Sequence, residues 1–250
     1  RFTADSLLPG PKTYQLPNSS KKLRNWTGRE CGPEGKVTLR QALAISCNTA
    51  FAWLGNELGA AAIRDQAEAF GFNSGFNIPL RAATSLFPQD PDAPQTALSA
   101  IGQFEVRATA LQMAMVAASI GNSGRTMNPY LVQEIRGPDL SILQTTEPTQ
   151  FEDALKPSNS LSLTEMLVNV VENGTGSNAQ IAGVRVAGKT GTAQTGNDSP
   201  SVAWFISFAP AAAPKVAVAV VIEESGLAEV SGNGLAAPIA KEVMKAVLGS

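Results

Sequence analysis

Lys189-Thr190-Gly191-Thr192 puts an amine, two hydroxyls and a position without a side chain on one short stretch, Val186 to Gln194. The flanking pattern reads as the start of a strand, where a ladder would ordinarily carry β-branched residues. Successive strand side chains face opposite ways, so Lys189 and Gly191 share one face and Thr190 and Thr192 the other. Gly191 leaves room for a ligand's backbone or ring to lie against the strand. Such a strand could receive an extended substrate. Taken alone, the stretch is read better as a polar strand end before a turn.

A second polar group interrupts an apolar pattern at Ser46-Cys47-Asn48. It presents a hydroxyl and an amide two residues apart, at a hinge between two helices. On these residues alone, an N-cap for the second helix, supplied by Asn48 or Thr49, is the better account.

The chain has no histidine. Ser-His-Asp and Cys-His mechanisms are therefore excluded within it. Only two cysteines remain as soft ligands, which argues against zinc. A hydrolytic or acyl-transfer site must then use lysine as its base. Ser19-Ser20-Lys21-Lys22 fits a Ser-x-x-Lys spacing, but its flanks carry no apolar face. It reads as a solvated loop. Cys31 and Cys47 are equally compatible with two reduced thiols or one disulfide. A disulfide would close a loop worth about 3 kcal/mol and would imply an extracytoplasmic setting.

The elements that must position these groups follow from periodicity. Residues 1–36 read as irregular, with a short strand near Thr13 to Leu16. Thr38-Leu39-Arg40-Gln41 is a capping box opening the first helix. A second helix ends at Gly59, and a third runs from Ala60 to Phe70. Residues 72–97 read as a long surface crossing. A strongly apolar helix covers Thr109 to Ile120, and Tyr130-Leu131-Val132 reads as a strand. Residues 136–158 read as another irregular connection. An amphipathic helix covers Leu161 to Asn173. Strands are expected over Val184 to Ala193, Val202 to Ala209 and Lys215 to Ile222. Hairpin connections at Asn197 to Pro200 and Pro210 to Pro214 make the three antiparallel neighbours. A closing helix from Leu235 to Leu248 is expected to bury Ala236, Ile239, Val243 and Val247.

With 250 residues, 44% hydrophobic and 16% charged, the chain is ordinary globular material. Its net charge of −2 offers no field for nucleic acid. No apolar run approaches a membrane span. The chain opens at Arg1 without Met and reads as a piece of something longer.

Helices, then a meander of strands carrying Lys189-Thr190-Gly191, then a closing helix: this order resembles the penicillin-binding proteins and serine β-lactamases. Ser46-Cys47-Asn48 matches their Ser-x-Asn signature and Lys189-Thr190-Gly191 their Lys-Thr-Gly signature. Gly174-Thr175-Gly176, Ala203 to Pro210, and Ile101-Gly102-Gln103 with Leu111 to Ala114 are similar to segments of the class B transpeptidases. Cys47 with Cys31 upstream is most like the actinobacterial members of that class.

The resemblance implies an α+β fold of the β-lactamase/transpeptidase type, with an antiparallel sheet flanked by helices. It makes residues 1–250 the C-terminal part of one transpeptidase domain, whose Ser-x-x-Lys segment and further strands lie upstream. It implies a peptidoglycan D,D-transpeptidase that crosslinks stem peptides through an acyl-enzyme and is acylated by β-lactams. Ser46, Asn48 and Lys189 are the implied catalytic residues. Thr190, Gly191 and Thr192 would bind substrate, with the Thr192 N–H an oxyanion donor. Cys31 and Cys47 would form a disulfide. No cofactor or metal is implied. Implied partners are D-Ala-D-Ala stem peptides, β-lactams, the upstream segment and cell-wall synthesis proteins. The implied location is extracytoplasmic, anchored through an N-terminal segment. A β-lactamase or D,D-carboxypeptidase, in which water resolves the acyl-enzyme, and a non-catalytic sensor of β-lactams or muropeptides are the alternatives.

Overall fold

The computed structural model describes residues 1–193, 201–226 and 230–249. The N-terminal stretch is less irregular than its composition suggests. β1 (Leu7–Pro9) is followed by a small hairpin of β2 (Thr13–Gln15) and β3 (Lys22–Arg24), and β4 (Lys36–Thr38) returns to pair antiparallel with β1. Ser19 to Lys22 lies at the tip and return of that hairpin, where Lys21 and Lys22 are exposed.

Thr38 then caps α1 (Leu39–Ala44), its hydroxyl accepting from the Gln41 N–H at 3.3 Å. α2 (Asn48–Leu58) and α3 (Ala60–Ala69) follow, separated by Gly59 at φ +87°. Residues 72–97 are not wholly a crossing. α4 (Ala93–Ser99) occupies their end, opened by a reciprocal capping box between Asp92 and Gln95. The surrounding prolines hide it, although Pro94 sits in the first turn, where the missing N–H costs nothing.

α5 (Ala110–Gly121) matches its apolar run. Tyr130-Leu131-Val132 is not a strand. The chain instead forms β5 (Arg125–Met127) and β6 (Glu134–Arg136) on either side of it. Residues 136–158 contain β7 (Ile142–Thr145) and β8 (Gln150–Asp153), paired with β6 and β5. These strands are short and mostly exposed, and the buried position of β5 is the polar Thr126, so they carry no apolar alternation for the sequence to mark. α6 (Pro157–Asn173) leads to the sheet of β9 (Ala187–Ala193), β10 (Val202–Ala209) and β11 (Val216–Ile222). The chain closes through a π-turn, Gly232–Ala236, into α7 (Ala237–Leu248).

The sheet is antiparallel in the order β11-β10-β9. The described β9 begins at Ala187, since Val184 is taken into a bridge with Ile181. The expected connection at Asn197 to Pro200 lies outside the described residues. Alternation along β10 sends Ala203, Phe205 and Ala209 to one face, against Ala237, Ala240 and Met244 of α7. It sends Phe208 to the other face, against Ala117 and Ile120 of α5 and Leu167 and Val168 of α6. Burying the larger of these side chains, Phe205, Phe208, Ile120, Leu167, Val168 and Met244, contributes about 1.5–3 kcal/mol each.

The α7 stripe differs from expectation. Ala236 is buried as expected, but Ile239, Val243 and Val247 are exposed, while Ala237, Ala240 and Met244 face the sheet. Both stripes have helical spacing, and bulk pointed to the wrong one. Ala237 and Ala240 let the helix lie close on the sheet, and Met244 fills the core beside them. The result is an α+β fold with helices on both faces of an antiparallel sheet, and among the described residues β9 is an edge strand packed against α6.

Candidate active site

β9 brings its basic residue to the hinge after α1. Lys189 Nζ donates to Ser46 Oγ at 2.9 Å, across 143 positions of sequence, and to the Thr190 carbonyl at 2.9 Å. That carbonyl therefore points away from β10, to the free edge. In an antiparallel edge strand alternate residues present their N–H and C=O outward, so Thr192 offers its N–H to the same edge. Register with β10 places Lys189 opposite Ile206 and Thr190 opposite Phe205, on the two different faces. The long lysine side chain curls over the edge, bringing Nζ within 3.5 Å of Thr190 Oγ1. Edge geometry thus unites groups that alternation alone would separate. Gly191 sits on the far side of the strand from this cleft. A Cβ there would stand 3.0 Å from Trp204 Cβ.

Ser46 adopts φ +57°, the left-handed region, between the two helices. A non-glycine residue held there costs on the order of 1–3 kcal/mol and needs surroundings that over-determine it. Those surroundings are present. Cys47, the next residue, is buried and joined to Cys31 by a disulfide. Thr49, also buried, donates its hydroxyl to the Pro11 carbonyl at 2.8 Å. Its N–H goes to Asn25 Oδ1 at 3.1 Å. Asn25 Nδ2 in turn donates to the carbonyls of Pro11 and Arg29. Asn48 does not cap α2: the N-cap position is Cys47, with no side-chain bond. Asn48 Nδ2 donates to the Arg24 carbonyl at 3.2 Å, and the residue lines the cleft.

The third wall comes from the end of α6. A Cβ on Gly174 would lie 2.3 Å from the Ala44 carbonyl oxygen. Only glycine lets this turn close on the end of α1. The Thr175 N–H then donates to the same Ala44 carbonyl at 3.0 Å, and Thr175 Oγ1 meets Thr190 Oγ1 at 2.7 Å.

The fourth wall is Ser231-Gly232-Asn233. The Gly232 N–H reaches Thr192 Oγ1 at 3.4 Å. A Cβ on Gly232 would stand 2.3 Å from the Trp204 carbonyl and 2.7 Å from that of Gly191. Both neighbours are backbone and cannot step aside. Gly232→Ala is therefore expected to cost about 1–3 kcal/mol, the range for overpacking, read as a lower urea midpoint with an unchanged m-value. An unchanged midpoint would show that the turn is not seated on the strand.

Together these walls enclose a cleft of about 500 Å³, lined by Ser46, Asn48, Thr175, Thr190, Thr192 and the 230–233 turn, with Trp26 at its rim. Burial lowers the Lys189 pKa from 10.5 to about 8. Among the described residues no carboxylate pairs with it. The cleft therefore combines a buried cation without a counter-charge and hydroxyls at a strand edge, a setting suited to an anionic ligand.

Ser46, Asn48, Lys189, Thr190 and Thr192 are thus brought together, and the Cys31–Cys47 pair is formed. Sequence reading missed Trp26, Asn25, the role of Thr175 and the Ser231 to Asn233 turn. The glycine-flanked threonine after α6 was a visible signal. Nothing about Ser231-Gly232-Asn233 distinguishes it from an ordinary turn.

Residues 2–245 match the family model described as the penicillin binding protein transpeptidase domain. The chain is 44% identical over 247 residues to the peptidoglycan D,D-transpeptidase PbpA of Mycolicibacterium smegmatis, covering 97% of this chain and 50% of that protein. It superposes on the crystal structure of PBPA from Mycobacterium tuberculosis with a TM-score of 0.92 at 43% identity, covering 98% of this chain and 56% of that one. The penicillin G acyl-enzyme complex of penicillin-binding protein A from M. tuberculosis gives a TM-score of 0.91 at 43% identity, with the same coverage. The chain spans about half the length of the curated relatives it matches. By the family match along nearly its whole length, the chain belongs to the penicillin-binding protein transpeptidase domain family.

Proposed function

We propose that this chain is the C-terminal part of a peptidoglycan D,D-transpeptidase domain, and that a serine outside residues 1–250 forms the acyl-enzyme. The observation that carries this reading is the 2.9 Å contact between Lys189 Nζ and Ser46 Oγ at the head of one cleft. It gives a hydroxyl with a basic partner and no histidine, the arrangement a lysine-driven acyl transfer needs. The only Ser-x-x-Lys in the chain, Ser19 to Lys22, lies on a hairpin far from helical spacing, which supports placing the nucleophile elsewhere.

In this reading the nucleophile attacks a D-Ala-D-Ala stem peptide, or the β-lactam ring that mimics it. Ser46 passes a proton toward the leaving group, with Lys189 supporting it. Asn48 holds the nucleophile's lysine and the substrate amide. Thr190 and Thr192 take the terminal carboxylate, and Gly191, expected to keep the strand open to the substrate backbone, leaves it without a side chain beside Trp204. The Thr192 N–H is one of two oxyanion donors; losing one such donor costs about 2.7–4 kcal/mol. A second stem peptide's amine resolves the acyl-enzyme.

The exposed Ile239, Val243 and Val247 on α7 and the free edge of β11 support further elements of the same domain packing there. The disulfide supports an extracytoplasmic location, and membrane anchoring and contacts with other cell-wall synthesis proteins belong to the same reading. No helix among the described residues is long and apolar enough to cross a membrane.

The test is labelled penicillin on the protein including the nucleophile's segment. A covalent adduct lasting minutes or longer is expected. Turnover within seconds would instead assign a β-lactamase or carboxypeptidase, and absence of any adduct would assign a binding domain without chemistry.

A further inference from the structure

We infer that Thr175 is a positioning residue for recognition of a ligand carboxylate, orienting the Thr190 hydroxyl so that its proton faces the cleft. This rests on the reading of the cleft as the acyl-transfer site and adds to it a residue outside both signatures.

The argument is one of donors and acceptors. Thr190 Oγ1 lies 2.7 Å from Thr175 Oγ1 and 3.5 Å from Lys189 Nζ. A hydroxyl has one proton and two lone pairs, and an ammonium can only donate. Either hydroxyl of the pair can donate; with Thr175 as the donor, the role inferred for it, the Thr190 lone pairs face Thr175 and Lys189. Its own proton is left for the cleft that it lines. Thr192 Oγ1 is disposed alike, accepting from the Gly232 N–H at 3.4 Å. Two aligned O–H donors beside a buried cation select a carboxylate over a neutral amide.

Without the Thr175 hydroxyl, the Thr190 proton would be free to turn inward. Thr175 is not placed by chance. Its N–H is fixed on Ala44, and the residue before it has no room for a side chain. The position is therefore built into the junction of α1 and α6, and a hydroxyl delivered there meets Thr190 at a short distance.

The experiment measures binding of a peptide ending in D-Ala-D-Ala, as free carboxylate and as C-terminal amide, by calorimetry on the full protein. The parent is expected to prefer the carboxylate. Thr175→Val, close in shape but without the hydroxyl, should weaken carboxylate binding by about tenfold, the scale of one hydrogen bond to a charged group, and leave amide binding unchanged. Thr175→Ser should restore the preference. Thr175→Val combined with Thr190→Val should be no worse than Thr190→Val alone, because the two act as one unit.

An undiminished preference in Thr175→Val, equal losses for carboxylate and amide, or additive losses in the double variant would each overturn the inference. Should Thr175→Val fold poorly, the serine variant and the Thr190 comparison decide it, since a serine that keeps the fold but loses the preference also refutes the role. A parent that shows the preference but forms no penicillin adduct would sink the transpeptidase reading and leave this inference standing.

Discussion

On the proposed acyl-transfer reading, Lys189→Met in the protein that includes the nucleophile's segment is expected to cut β-lactam acylation by roughly 10²–10⁴-fold, the range for general acid–base help, and at the same time to stabilise the folded protein near neutral pH. The two effects share one cause. The Lys189 side chain is partly buried and its amine, among the described residues, meets only hydroxyl and carbonyl oxygens, those of Ser46 and Thr190. Its pKa falls to about 8 from 10.5 because burial penalises the charge. Below about pH 8 the lysine is protonated in both states, and the folded state carries the whole penalty. Between pH 8 and 10.5 the unfolded chain binds more protons than the folded one, so stability contributed by this group rises with pH. Above 10.5 the penalty is gone.

A shift of this size corresponds to about 3 kcal/mol. Part of it is offset by the hydrogen bonds lost with the amine, so Lys189→Met should gain about 1–3 kcal/mol at pH 7. The gain over the parent should shrink steadily from pH 8 to 10.5. Urea titrations of parent and variant at pH 7 and pH 10 check this, since other titrating groups cancel in the difference. A methionine variant less stable than the parent at pH 7 would show that the ammonium is satisfied in place, and that the site does not hold a cation awaiting an anion.

That trade of stability for a charged cleft explains what could be read from sequence and what could not. β10 and β11 were legible because Phe205 and Phe208 alternate between two buried faces and the Val/Ala run of β11 fits a covered strand. Lys189 and Ser46 were legible only through the family resemblance carried by the two signatures in order, since each stretch alone reads better as a polar strand end or a helix cap. The α7 stripe was misread because hydrophobic size, not proximity to the sheet, set the choice. α4 was missed because prolines surround it and its buried face is made of Thr96, Ala97 and Ser99, not large apolar residues. The β5–β8 strands were missed because they are short and mostly exposed. Thr175 and Gly232 were illegible in their roles, because what matters is the approach of one backbone to another from distant sequence. No local pattern reports a 2.3 Å clearance.

Loss of the Cys31–Cys47 disulfide is the second large expected effect. The bond closes a loop of 16 positions, and a loop of that length is worth about 3 kcal/mol through restriction of the unfolded chain. In a chain of this size that is a fall in melting temperature of roughly 6–12 °C. Function should suffer beyond stability. Cys47 follows Ser46 directly, and Ser46 holds a left-handed backbone that must be over-determined from outside. The disulfide ties the hinge to the 25–31 loop, which also carries Asn25 and the rim residue Trp26. Cutting that tie leaves the hinge held by hydrogen bonds only, among them those of Asn25, Asn48 and Thr49.

The paired Cys31→Ala and Cys47→Ala variant, measured well below its melting temperature, should therefore acylate about tenfold more slowly, the cost of a hinge that spends only part of its time in the competent form. Reductant should bring the parent to the variant's level and leave the variant unchanged. If the variant melts lower yet acylates at the parent's rate, the disulfide acts on the unfolded chain alone. Hydrogen bonding through Asn25 and Thr49 would then suffice to keep Ser46 within reach of Lys189.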